Sequence, residues 1–185
     1  MEKIAAFEKV SLEQMIKDAV NPSISDGIAR LAEQGYDISS MQVIKDYVDE
    51  AHRSVVALPR RATEGSAGYD ICSPFSIKVK AGKPVTIATG LRCWIADGWV
   101  LVIVPRSGLA CRHGLRLMNT AGVIDSDYYR ADNEGHIILK MIADDDFEIA
   151  AGDRVAQGIF LPYGITTDDS VILRGRTGGF GSTGQ

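Results

Sequence analysis

From Leu58-Pro59 onward the chain runs in short β-branched stretches broken by turn residues, and this rhythm restricts the fold more than any other feature. The stretches are Ser76–Lys80, Pro84–Ile87, Leu91–Ile95, Trp99–Val104, His136–Ile142 and Asp153–Leu161. Ala81-Gly82, Asp97-Gly98 and Ala151-Gly152 punctuate them, and such residues turn a backbone at little steric cost. Strands this short, with turns roughly every eight to twelve residues and no helical spacing between them, predict a mainly β fold. Antiparallel pairing into a sandwich, jelly roll or barrel follows.

Residues 1–53 have another texture. Ser11 is placed to cap a helix that carries Leu12, Met15, Ile16 and Val20 at helical spacing until Asn21-Pro22 interrupts it. A second helix, capped by Ser25, would carry Ile28 and Leu31 and close at Gly35; a third would run from Ser40 to Arg53 with Val43, Ile44, Tyr47 and Val48 inward. None of these brings a catalytic cluster. The segment reads as a small helical appendage or packing surface, open to a protein partner, whose removal would spare chemistry located elsewhere.

The totals set outer bounds. A chain of 185 residues, 45% hydrophobic, can bury a core of one domain with a modest addition. Net charge is −4 with both signs mixed, and no Lys/Arg block offers a grip on nucleic acid. Cys72, Cys93 and Cys111 lack metal-ligand spacing and argue against a disulfide framework, which suits a reducing cytoplasm. Without a run long enough to span a bilayer, the expectation is a soluble cytoplasmic protein away from membranes.

Five segments interrupt the strand pattern with small and polar residues: Ala67-Gly-Tyr-Asp-Ile71, Pro105-Arg-Ser-Gly-Leu109, Gly122-Val-Ile-Asp-Ser-Asp-Tyr128, Arg154-Val-Ala-Gln-Gly-Ile-Phe160 and Gly178-Gly-Phe-Gly-Ser-Thr-Gly184. Asn119 to Gly122 read as a turn into an apolar strand, from which Asp125 emerges at a fixed angle. A carboxylate held so suits a base that orients one water. Arg106-Ser107-Gly108 is either a phosphate cradle or an ordinary turn with Arg106 paired to a carboxylate. Arg154 and Gln157, three apart on a strand, are predicted on opposite faces, with Arg154 in an ion pair and Gln157 free to hold a water. In the tail, glycines admit close phosphate approach, Arg176, Ser182 and Thr183 add donors, and Phe180 can stack on a base. The tail is expected to order on a ligand.

Taken in this order, the five segments resemble the five motifs of the trimeric dUTP diphosphatases (dUTPases), in forms like those of phage and bacteria, over roughly residues 55–185. The resemblance implies an antiparallel jelly-roll-like β-barrel at 54–173, a helical extension at 1–53, and a flexible arm at 174–185 that closes the site. It implies a homotrimer with shared active sites and hydrolysis of dUTP to dUMP and pyrophosphate, with Mg²⁺ on the triphosphate. That activity limits uracil in DNA and supplies dUMP for dTMP synthesis.

Position by position, Asp125 matches the carboxylate that activates water for attack on the α-phosphorus. Tyr128 matches the aromatic beneath the deoxyribose that excludes a 2′-hydroxyl. Asn119, Gly122, Val123, Ile124 and Ile138 match the hairpin that reads uracil. Arg106, Ser107 and Gly108 match the phosphate cradle, with Ser107 near the scissile bridge, and Gln157 matches a holder of the nucleophilic water. Asp70 matches an acidic residue that meets the metal through water. Phe180 matches the aromatic closing over uracil, with Arg176, Gly181, Ser182 and Thr183 on the terminal phosphates.

Three departures stand out. The family's arginine five positions before the phenylalanine is Gly175 here, flanked by Arg174 and Arg176, of which Arg176 is preferred. Tyr129-Arg-Ala-Asp-Asn-Glu-Gly135 replaces a short Arg-Gly turn, and residues 1–53 lack a counterpart in the minimal enzyme. Two other readings fit parts of the sequence. A dCTP deaminase-like enzyme would resemble Arg-Ser-Ser at the phosphate turn and use a glutamate near the base, whereas Arg106-Ser107-Gly108 and Asp125 keep the diphosphatase form. A dUTP-sensing regulatory protein would contact partners through its helices.

Overall fold

The computed structural model describes residues 3–21, 26–33 and 35–169. The proposed cap Ser25 and the tail residues Arg174, Arg176, Phe180, Gly181, Ser182 and Thr183 lie outside the described residues.

The chain begins with β1 (Ala5–Lys9), α1 (Leu12–Ala19), α2 (Ala29–Glu33) and α3 (Met41–Glu50), which runs on into a π-helical turn at Ala51–Val55. Then come β2 (Arg60–Arg61), β3 (Tyr69–Cys72), β4 (Ile77–Val79), β5 (Val85–Ala88), β6 (Leu91–Ile95) and β7 (Trp99–Pro105). After α4 (Ser107–His113) follow β8 (Arg116–Leu117), β9 (Gly122–Ile124), a 3₁₀ turn at Ser126–Arg130, β10 (Ile138–Ile142), β11 (Phe147–Ile149) and β12 (Arg154–Pro162).

Every strand pair described is antiparallel. The largest sheet has the order β2-β3-β12-β7-β9, a second has β5-β10-β8, and β11-β4 and β1-β6 form two-stranded ribbons. This is the antiparallel jelly-roll-like arrangement that the resemblance implies, one of the three the strand rhythm left open. Period-two burial explains it: on β6, Leu91, Cys93 and Ile95 point inward while Trp94 is exposed, and on β4 Ile77 and Val79 bracket exposed Lys78.

The N-terminal segment is not wholly helical, because Ala5–Lys9 is a strand that extends the barrel by pairing Phe7 with Cys93 and Ala6 with Trp94. Ser11 then caps α1, its Oγ accepting the Gln14 amide at 3.1 Å. The buried side of α1 carries Gln14, Met15, Asp18 and Ala19, a helical repeat on one face. Val10, Met15, Leu31, Ile44 and Val48 belong to the same apolar cluster as Ile87, Leu91, Leu101 and Met141. At Gly90, with φ +74°, a side chain would strike Val56 and Met15, so the approach of this segment to the sheet depends on that glycine. Among the described residues no helix is long and apolar enough to cross a membrane.

Candidate active site

Strands β3, β12 and β7 lie side by side, with Gln157 opposite both Asp70 and Val104. One residue further, β7 ends at Pro105, which cannot donate to a ladder, and Arg106 leaves the sheet. The expectation of no helix between strands fails here, because Ser107–His113 forms α4. The Leu109 and Ala110 amides donate to the Arg106 carbonyl at 3.2 and 3.0 Å, while those of Ser107 and Gly108 come too early in the helix for an intrahelical acceptor.

Arg106 and Arg154 converge on one carboxylate. Asp70 Oδ1 lies 2.8 Å from Arg106 Nη1, and its Oδ2 accepts from Arg154 Nη1 at 3.1 Å. The Asp70 side chain is only 11% exposed, so these two cations balance a nearly buried charge. Arg106 therefore both pairs with a carboxylate and stands at the mouth of a candidate cradle; the two readings of this turn are compatible.

The expectation that Arg154 and Gln157 occupy opposite faces is corrected by a β-bulge. Arg154 pairs with Cys72 and Gln157 with Asp70, and the register shifts between Arg154 and Ala156. The extra residue restores both to the face shared by Cys72 and Asp70. Gln157 in turn reaches Gly68, where an added Cβ would sit 2.4 Å from its Oε1.

Arg106, Gly108, Leu109, Arg112, Asp153 and Arg154 line a pocket of about 240 Å³. Arg112 escaped the sequence reading. It lies one helical turn beyond Gly108, to whose carbonyl its Nε donates at 3.0 Å, a spacing visible only once 107–113 is seen as helix. Three guanidinium groups around exposed first-turn amides suit a phosphate chain. Cys72, beside this cluster, has its thiol pushed up by burial and then by the charge of Asp70, so it stays protonated and is no nucleophile at neutral pH.

The second group of residues forms at the other end of β7. There β9 pairs Ile124 with Leu101 and Gly122 with Ile103. Asp125 follows in extended backbone, φ −81° and ψ 161°, and is exposed at the head of the 3₁₀ turn. Tyr128 is buried in that turn, 5% exposed, its hydroxyl donating to the His136 carbonyl at 2.8 Å. Asn133 Nδ2 donates to the same hydroxyl at 3.0 Å. Asn119 and Val123 are exposed and Ile138 half-buried around the β8–β10 hairpin, where the Met118 amide donates to Lys140 at 2.9 Å.

The register separates the two groups. Arg106 lies five residues beyond Leu101, and Asp125 one residue beyond Leu101's partner, so the two stand about 17–20 Å apart along the strand. Within one chain, Asp125 and Arg106 cannot serve the same phosphoanhydride.

Among the described residues, no group of three or more His, Cys, Asp or Glu is placed to hold a metal ion. A direct metal ligand at Asp70 would have to displace a guanidinium, whereas contact through a water leaves both ion pairs intact. The donor set thus fits a hard cation carried by its ligand's oxygens and retaining waters.

The sequence model of the dUTPase family matches residues 54–184. The chain belongs to the dUTPase family. A deoxyuridine 5'-triphosphate nucleotidohydrolase of Lactococcus lactis is 42% identical over 133 residues, 70% of this chain and 89% of the relative. One of Wolinella succinogenes is 36% identical over 152 residues, 80% and 99% of the two chains. The crystal structure of the Streptococcus mutans dUTPase is similar at a TM-score of 0.56 and 39% identity, covering 65% of this chain and 93% of that one. Staphylococcal phage dUTPases share the fold at 19–22% identity, among them a phage phi11 variant described with a structural Mg(II) ion, 19% identical at a TM-score of 0.55. Both groups of residues described above fall inside the matched region; β1, α1, α2 and α3 fall outside it.

Proposed function

We propose that this protein hydrolyses dUTP to dUMP and pyrophosphate in active sites shared between chains of a homotrimer. The observation that carries the reading is the division of the motif residues. Asp125 is exposed at one end of β7 and the Asp70–Arg106–Arg154 cluster stands at the other, inside one family match. Two incomplete halves become one site when neighbouring chains join them.

In this reading Asp125 accepts a proton as a water oxygen forms a bond to the α-phosphorus, and the bond from that phosphorus to the bridging oxygen breaks. Gln157 helps hold the water. Arg106, Ser107, Gly108 and Arg112 take up charge on the departing pyrophosphate, where positioning and electrostatics supply most of the acceleration. Mg²⁺, when bound, would supply charge neutralisation on the triphosphate, and Asp70 would hold it indirectly, through water. Asn119, Gly122, Val123, Ile124 and Ile138 frame the uracil, and a site built to hydrogen-bond one base edge rejects cytosine strongly. Tyr128, its hydroxyl turned inward, walls the sugar. Residues 1–53 act as an extension, 54–173 as the catalytic core, and 174–185 as an arm in which Phe180, Gly181, Ser182, Thr183 and Arg176 close over the nucleotide. The cellular role would be to limit uracil in DNA and supply dUMP.

The test is product analysis with dUTP, dCTP, dTTP and UTP, with and without Mg²⁺. Pyrophosphate from dUTP supports the reading; ammonia from dCTP overturns it. Asp125→Asn should lower kcat by about 10²–10⁴ with dUTP affinity nearly kept. An equal loss of binding would mean that Asp125 is structural.

A further inference from the structure

The two parts that depart from the minimal family pattern, the N-terminal segment and the loop after Tyr128, grip each other at three points. Tyr129 donates to Glu8 at 2.8 Å; the Ser11 amide and hydroxyl donate to Glu134 at 2.8 and 2.6 Å; and His136 Nδ1 lies 2.6 Å from Asp18 Oδ2. The last contact is sealed from solvent, with His136 0% and Asp18 6% exposed in their side chains.

The imidazole is fixed from both sides. The Gly90 amide donates to its Nε2 at 2.8 Å, so Nε2 carries no proton and Nδ1–H is the donor to Asp18. Gln14 Nε2 donates to the same Asp18 oxygen at 2.8 Å and holds it in place. The carbonyl of this immobilised residue accepts the Tyr128 hydroxyl. Gly135, with φ +71°, lets the loop pass so close that an added Cβ would lie 2.6 Å from the Tyr128 carbonyl oxygen. A continuous chain of hydrogen bonds therefore runs from α1 through Asp18 and His136 to Tyr128.

We propose that Asp18 and His136 are positioning residues through which the N-terminal helix sets the width of the sugar slot, and with it the preference for dUTP over UTP. The proposal rests on the reading of Tyr128 as the wall beneath the sugar. Loosening His136 lets Tyr128 retreat, which admits a 2′-hydroxyl and weakens the grip on a deoxyribose, while Asp125 keeps its place just beyond the end of β9.

The experiment uses the full chain and measures kcat and KM for dUTP and UTP. Asp18→Ala should lower the dUTP/UTP ratio of kcat/KM at least about tenfold, mainly through a higher KM for dUTP. Asp18→Asn, which can still accept from Nδ1–H and Gln14, should restore most of the ratio. Glu134→Ala, which loosens the same loop from its exposed side, should lower it severalfold and stands in if Asp18→Ala does not fold. An unchanged ratio in whichever of these two folds overturns the proposal. Tyr128→Ala separates the two levels. If it lowers the ratio while Asp18→Ala does not, only the coupling is lost; if it leaves the ratio unchanged, the reading of Tyr128 is what fails.

Discussion

Two inactive variants of this protein should restore each other. Asp125→Asn removes the proposed base and Arg106→Ala removes a cradle cation, and the strand register keeps these residues about 17–20 Å apart in any one chain. Alone, each variant is defective at every site, and the loss of a general base costs about 10²–10⁴ in rate. In a cyclic assembly each site takes Asp125 from one chain and Arg106 from a neighbour. Equal, random mixing supplies an intact donor at each place half the time, so about one quarter of all sites are whole; tandem purification discards the unmixed trimers, and each mixed trimer then has one whole site in three, ~33% of wild-type activity. Had both residues come from one chain, no mixture could contain a whole site. Co-expression of the two variants with different tags, tandem purification and a pyrophosphate-release assay would decide it. Mixed assemblies no more active than the sum of the parents would refute the shared site.

Further outcomes follow from burial and charge. Met15→Ala, at a side chain with 0% exposure beneath the sheet, should cost about 2–5 kcal/mol in urea unfolding of the full chain. Removal of 1–53 should lower the melting temperature rather than leave the core untouched, since it strips β6 of its partner β1. Arg154→Ala should destabilise modestly, since the nearly buried Asp70 would keep only Arg106, and should raise KM for dUTP by weakening the cationic pocket. Cys93, whose thiol burial pushes up to about 12, should resist alkylation in the native protein while exposed Cys111 reacts. The same shift means that burial of Cys93 stabilises below the unfolded thiol value of about 8.5 and loses that contribution as pH rises toward 12, so the urea midpoint should fall over that range.

The strands were legible because alternation and turn glycines act locally. Leu91–Ile95 matches its predicted bounds, and the other five runs differ from theirs by one or two residues at an end. The Ser11 cap was legible for the same reason. Three features were hidden by context. Ala5–Lys9 has two alanines and two charges and becomes a strand only because β6 offers an edge, a tertiary preference that residue type does not encode. Gly108 disguises α4, since glycine near a helix start reads as a turn. The bulge at Arg154–Ala156 defeats any count by twos, and so turned two residues of one face into an apparent opposition. Of the candidate site, the five segments were readable as motifs, but the gap between their halves exists only in strand register.

Asp18 shows what a sequence signals without explaining. It falls three residues after Met15 on the buried face of α1, where a charge requires a partner. The partner, His136, lies 118 residues away, beyond any local pattern. Each of the two unusual segments would be damaged without the other. Loss of the loop would leave the buried Asp18 carboxylate with Gln14 alone, and loss of the helix would strand the His136 Nδ1–H, at about 1–3 kcal/mol for each lost partner. The N-terminal segment and the lengthened loop are therefore one structural unit divided in sequence, and substitutions at Asp18 and His136 should be far from additive, the double variant costing less than the sum of the singles.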